Sequence, residues 1–453
     1  MLKEEKVLLQ RLAIVAIPVM IQNLVQSGVG FLDTLMIGQL GETEVAAVGG
    51  ANQYFFFIQI AFFGLNSGSS IFLAQFYGAK NTKEMRKVLS LASSLAILMG
   101  ALGGIIVTAF PSFLMKLFSS DPQVIWAGSV YLRAVGVSYL FSGFSSVYSG
   151  AFRATGDART PMVTTTISLF TNALLNYILI FGPGPFPALG ILGGAIATVI
   201  SRILEASLLI VISLSRKEQL IPKKKEDFRW EKSFIRDIAK TGLPAFIHET
   251  LWVIGSILYK VAYSRLGTGT FAATNICLSI QDLFFVAGLG LAGGAGVVLG
   301  NTIGKGEMKK AQEWGEKIIL LSLLTGIAMG ILEFILGPLL LNFYNISPEV
   351  LSTARKGIFA LSFILPLELL GVVIMVGILR SGGDSKFSML SEIIPMYLIS
   401  IPLTFLGASI FRLPLWALML VKLSETVTKA LVGALRIRSG KWIINLNDKR
   451  NWT

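Results

Sequence analysis

The chain is poor in the residues that build catalytic and metal sites. Its 453 residues include one cysteine, Cys277, and one histidine, His248. A single cysteine excludes an intrachain disulfide and a Cys-rich metal centre. A single histidine argues against a His-based metal site and leaves one imidazole to serve as a base. No GxSxG, HExxH or GxxxxGKS/T pattern occurs, so hydrolase, metalloprotease and P-loop readings gain no support. The chain is therefore not expected to be an enzyme, no cofactor is expected, and an ion gradient replaces ATP as the natural energy source. Charge is scarce too: 14% of residues are Asp, Glu, Lys or Arg, against about a quarter in soluble chains.

What fills the sequence is apolar. Hydrophobic residues make up 53%, and the mean hydropathy is +0.71. Twelve apolar segments can be drawn, at 12–39, 46–77, 88–112, 123–152, 160–182, 189–214, 237–264, 270–302, 315–341, 347–379, 387–408 and 413–435. Runs of this length read as helices, because lipid cannot satisfy an open sheet edge. Short alternating segments, the mark of a membrane β-barrel, are absent. The fold class is an all-α integral membrane protein. The first run is too long for a signal-peptide core and reads as a retained helix.

The loops set the orientation. Seven alternate segments (1–11, 78–87, 153–159, 215–240, 304–317, 380–386 and 436–453) hold 29 of the 39 Lys and Arg residues. This positive-inside bias places both termini in the cytoplasm of a cell (inner) membrane. It also accounts for the net charge of +13 without nucleic acid. The triple lysine at 223–225 reads as topology and attraction to anionic lipid.

The chain repeats itself. At an offset of 226, Pro18 aligns with Pro244 and Gly78 with Gly304; at 227, GAFRATGDARTPM (150–162) aligns with GILRSGGDSKFSM (377–389); at 220, Arg202 and Glu205 align with Lys422 and Glu425. Residues 1–214 and 236–453 are thus expected to form two six-helix lobes, joined by a cytoplasmic linker at 215–235. Six is even, so both lobes start on the same side. The bundles are parallel, related by a pseudo-two-fold axis along the membrane normal, with a cavity between them. No filter-like loop supports a passive channel.

Charges inside such helices are functional by default. Glu249 lies nine residues beyond Lys240, about 14 Å along a helix and close to mid-membrane. Pro244 precedes it and can free backbone carbonyls. Asp282, with Gln281 beside it, and Glu368 lie at interior depth on later segments. Three acids without matching bases suggest an ion-coupling site for Na+ or H+ at Glu249, Asp282 and Glu368. Asp33 on the first segment is a fourth candidate, for coupling or cargo, and Lys260 stands at nearly its place in the second half. His248 is assigned to the cavity, packed beside or hydrogen-bonded to Glu249. Arg202 with Glu205 and Lys422 with Glu425 are spaced to neutralise each other on one helix face. Glu392 is expected to snorkel to the inner surface. The repeated Gly-Arg-Gly-Asp elements place Arg153, Asp157, Arg380 and Asp384 where segments four and ten leave the membrane. They suit helix caps or gate ion pairs, as Pro18 and Pro244 suit hinges.

The stretches FLDTLMIGQLG (31–41), GAFRATGDARTP (150–161) and PAFIHETLW (244–252) resemble the multidrug and toxic compound extrusion (MATE) family, over nearly the whole chain. The resemblance implies a two-lobed antiporter that acts as a monomer and expels organic cations or amphipathic compounds in exchange for protons or sodium. Asp33 matches the family's N-lobe acid. Glu249 matches the segment-seven acid of the NorM-like branch, and Glu368 falls about one position from its segment-ten acid. Where the DinF-like branch has a segment-five aspartate, Asn172 and Asn176 stand here, lining a polar cavity without titrating. A lipid-linked precursor flippase of the same superfamily is the alternative, and an intramembrane enzyme a distant third.

Overall fold

The computed structural model describes residues 2–216, 220–344 and 346–448; residues 217–219 of the expected linker lie outside them. Helices account for nearly all of the described chain, and its one pair of bridged β residues is Gly383 with Ile443. In chain order the helices are α1 (Leu2–Gly38), α2 (Glu42–Gly78), α3 (Thr82–Ala109), α4 (Pro111–Lys116), α5 (Pro122–Val135), α6 (Ser138–Ala154), α7 (Arg159–Phe181) and α8 (Ile191–Arg216). The second half holds α9 (Lys232–Ser264), α10 (Thr268–Gly304), α11 (Met308–Leu340), α12 (Pro348–Val372), α13 (Ser385–Pro395), α14 (Ile401–Ser409), α15 (Leu415–Val421) and α16 (Leu423–Arg438).

Among the described residues, nine helices are long and apolar enough to cross a membrane, and α5 with α6, bent by 51°, makes a tenth span. The two expected segments outside this count are α9, which carries His248, Glu249 and Lys260, and the broken α15–α16, which carries Lys422, Glu425 and Lys429. Their charges lower the apolar content of helices that otherwise match their neighbours in place along the chain. Segment four is thus a bent pair rather than one rod. Segments ten and eleven also lose regularity: α12 passes into a π-helical stretch at 373–379, and α13 into another at 396–400. Such stretches occur preferentially at functional sites.

By contact the chain falls into two compact units. Unit 1 comprises Met1–Met20, Ala74–Asn81 and Arg236–Thr453; unit 2 comprises Ile21–Leu73 and Thr82–Ile235. Unit 2 packs around Ala47, Ala51, Met115, Leu132, Tyr139 and Ala195. The charged stretch after α8 is docked onto it. Asp227 is buried, accepts from the backbone N–H groups of Lys223 and Lys224, and takes a hydrogen bond at its carbonyl from Ser90. Trp230 donates to Ser90 Oγ at 3.1 Å.

Unit 1 has two apolar clusters, one around Ala295, Leu299, Ile374 and Ile378, the other around Cys277, Ile358, Ile364 and Met419. The start of α1 enters the first through Leu8 and Leu12. The inner end of α2 also belongs here and lies on α10 so closely that a side chain at Gly304 would strike the Gln75 backbone. The tail after α16 closes the same end. Trp442 is fully buried and donates to Gln312 at 2.8 Å, and the Ile444 N–H donates to Gly382 O at 2.7 Å. The Gln75 amide donates to the carbonyls of Ser381 (2.8 Å) and Ile444 (3.2 Å) and accepts from Leu446 N–H at 2.8 Å.

Candidate functional site

Unit 2 gathers Asp33, Asn172 and Asn176 into one cluster. Asp33 is half-buried near the C-terminal end of α1, while both amides are buried on α7 one turn apart. Asn176 Nδ2 donates to Asp33 Oδ1 at 2.8 Å. With its amide turned to satisfy both neighbours, Asn172 donates to the two Asp33 oxygens at 3.1 and 3.2 Å and accepts from Thr198 N–H at 3.3 Å. The carboxylate is positioned by neutral donors and makes no ion pair among the described residues. Such a group is oriented by neutral neighbours and leaves room for a cation.

Farther toward the start of α1 and α7, Arg153 donates to Gln22 Oε1 (3.3 Å), Gln22 donates to Thr165 Oγ1 (2.9 Å), and Thr165 donates to Glu205 Oε1 (2.7 Å). Arg202 closes the run on Glu205 at 2.9 Å, the local pairing their i, i+3 spacing predicts. Asp157 accepts from both the N–H and the hydroxyl of Thr160 at the start of α7.

Unit 1 carries a longer buried chain. Glu249 is ion-paired to Arg380, and the Arg380 Nη2 lies 2.7 Å from His248 Nδ1. His248 Nε2 lies 2.9 Å from Glu392 Oε2. Lys429 reaches Glu392 at 2.8 Å and Glu425 at 3.4 Å, and Tyr259 donates to Glu425 at 2.6 Å. His248 is 1% exposed, Arg380 3% and Glu249 8%. A second buried set joins α10, α12 and the α15–α16 break: Lys422 is ion-paired to Glu368, and Gln281 donates to Glu368 at 2.8 Å.

Several expectations are corrected by this geometry. Glu249, Asp282 and Glu368 do not converge. Glu249 has Arg380 and Glu368 has Lys422, while Asp282 is exposed on α10, within electrostatic range of the exposed Lys260 as well as Lys422 and Glu368. No group of three or more His, Cys, Asp or Glu able to hold a metal occurs among the described residues. The acids do have matching bases; they come from helices distant in sequence. Lys422 and Glu425 take different partners: Lys422 pairs with Glu368 and Glu425 with Lys429. Glu392 does not snorkel but is buried between His248 and Lys429. Of the two roles expected for Arg380 and Asp384, caps or ion pairs, the geometry has ion pairs: Arg380 with Glu249, and Asp384 with Arg436 at 2.8 Å. His248 hydrogen-bonds Glu392 and Arg380, not Glu249. Pro18 and Pro244 both lie inside continuous helices.

Sequence reasoning missed Gln22, Thr165 and Lys429. The signal for the first two was present: at the repeat offsets they fall opposite His248 and Glu392. Lys429 had a local signal, its i, i+4 spacing from Glu425.

Comparison with known proteins agrees with this architecture. The MatE family model matches residues 18–178 and 244–406. The chain is 24% identical over 442 residues to the "Probable multidrug resistance protein NorM" of Thermotoga maritima, covering 94% of this chain and 91% of that one. It is 24% identical to the "Uncharacterized transporter YisQ" of Bacillus subtilis, covering 94% and 93%. Among solved structures, a MATE protein in complex with MaL6 superposes with a TM-score of 0.86 at 20% identity, over 95% of this chain and 96% of the other. A MOP superfamily transporter from Pyrococcus furiosus superposes at 0.81 and 19%, over 95% and 94%.

Proposed function

From the premise that the chain belongs to the MatE family, we propose that it is a secondary antiporter that exports organic cations or other amphipathic drugs in exchange for H+ or Na+. The relatives named as probable multidrug resistance proteins support the cargo class. The observation that carries the reading is Asp33: a half-buried carboxylate inside an apolar helix, held by two amides and without an ion pair among the described residues. It binds the cationic part of the cargo or the coupling ion.

The energy-coupling element in this reading is the buried chain of unit 1. Glu249 holds Arg380 in the present arrangement, so it takes up an ion only when Arg380 withdraws. Alternating access then means exchanging one set of ion pairs for another, at low net cost, because a buried charge stripped of its partner costs about 3–5 kcal/mol. The lobes at 1–214 and 236–453 move against each other, and the protein works as a monomer in the inner membrane with both termini cytoplasmic.

The test is efflux of a cationic dye from vesicles containing purified protein, with proton and sodium gradients imposed separately. Wild-type protein is expected to move dye under one of them. Asp33→Asn, which keeps the shape and removes the charge, is expected to lower that rate at least about tenfold, the loss of one charged contact of about 1.5–3 kcal/mol. Unchanged efflux in Asp33→Asn would remove this acid from the mechanism.

A further inference from the structure

We propose that His248 Nδ1 is a proton-binding site that governs Arg380; this rests on the export reading above and names its coupling ion. An arginine guanidinium donates hydrogen bonds and cannot accept them. His248 Nδ1, 2.7 Å from Arg380 Nη2, is therefore the acceptor and carries no proton. The proton of the neutral ring sits on Nε2 and is donated to Glu392 at 2.9 Å.

The internal repeat gives the same answer independently. Gln22 occupies the place of His248 at an offset of 226, while Arg153 and Thr165 occupy those of Arg380 and Glu392 at 227. There the amide oxygen accepts from Arg153 and the amide nitrogen donates to Thr165. Both halves build their chain on a side chain that accepts from an arginine and donates onward. Only the second half uses an imidazole.

Charge makes the second argument. His248 is faced by Glu249 on its own helix, by Arg380 at the end of the π-helical stretch and by Glu392 on α13; Lys429 and Glu425 of α16 reach it through Glu392. Three carboxylates stand there against two permanent cations, and the nearby Lys422 is matched by Glu368. Among the described residues named here, the set is one positive charge short. A proton transferred from hydronium to Nδ1 forms an N–H bond, leaves water and balances the set. It also turns an acceptor into a donor facing another donor of like charge, so the guanidinium must leave His248. Arg380 opens the turn at 380–384, and the next residue, Ser381, accepts from Gln75 at the inner end of α2. Movement of Arg380 therefore reaches the place where residues of the two sequence halves meet inside unit 1.

Because His248 is the sole histidine, untagged full-length protein labelled with [15N]histidine gives one imidazole. Its nitrogen spectrum, recorded in lipid from about pH 5 to about pH 9, is expected to show the Nε2–H tautomer at the alkaline end and Nδ1 protonation at the acid end. A ring carrying its proton on Nδ1, or one that does not titrate across the range, overturns the proposal. In the vesicle assay, His248→Gln copies the first repeat and keeps both hydrogen bonds without the titration. Proton-driven efflux is expected to fall at least about tenfold, with the variant's melting profile retained. Proton-driven efflux at the wild-type rate in this variant, or wild-type efflux that follows sodium alone, also overturns the proposal while leaving the export reading standing. Wild-type protein that moves dye under neither gradient would remove the export reading, and the spectrum would still decide the site.

Discussion

Arg380 is the residue on which the buried chain of unit 1 turns, because it holds both Glu249 and His248. Replacing it with Met leaves a carboxylate deprived of its cation in an apolar surrounding. Arg380→Met is expected to destabilise the protein by about 3–5 kcal/mol. Adding Glu249→Gln should restore a large part of that loss, since the stranded charge is gone. Thermal unfolding in detergent of the two single variants and the double variant checks this coupling; additive losses would count against it. Glu333 presents the opposite case. It is fully buried on α11, and neither carboxylate oxygen has a hydrogen-bond partner among the described residues. Glu333→Met, close in volume and apolar, is expected to raise stability by about 1–3 kcal/mol in the same assay.

At the scale of the element, hydropathy drew the twelve apolar segments but not the breaks within them, since the lipid requirement acts on averages over some twenty residues. The repeat was equally legible, because Gly, Arg and Asp in register survive as identities. The partners were not. Spacing reports only what lies three or four residues away on one helix face. It gave Arg202 with Glu205 correctly and mispaired Lys422 with Glu425, whose helix breaks between α15 and α16. Glu249 and Arg380 are 131 positions apart, and nothing short of the packed helices brings them together. The tail beyond α16 was read only as basic residues on the inner side, yet it buries Trp442 completely. Trp442→Ala is expected to cost about 3–5 kcal/mol and to loosen the turn at 380–384, through which the tail holds Gln75. Faster hydrogen exchange at the inner end of α2 would show the second effect.

For the whole molecule, the single cysteine offers a simple check on packing. Cys277 is fully buried in unit 1 and donates to the Ala354 carbonyl at 3.2 Å. It is expected to resist a membrane-permeant maleimide in intact membranes and to react only on denaturation; ready labelling of the native protein would contradict the packing of α10 against α12.

Unit 1 is assembled from three separated stretches: the first twenty residues, the short run 74–81, and everything from 236 onward. A ribosome delivers these in order, so the earliest part of the nascent chain must wait for the latest. The glutamine at 75 finds the N–H of Leu446 only after some 370 further residues have been made. Insertion into the bilayer can proceed helix by helix, but this unit closes only once its third stretch has emerged. Until then Gln75 lacks the partners that Ser381, Ile444 and Leu446 supply.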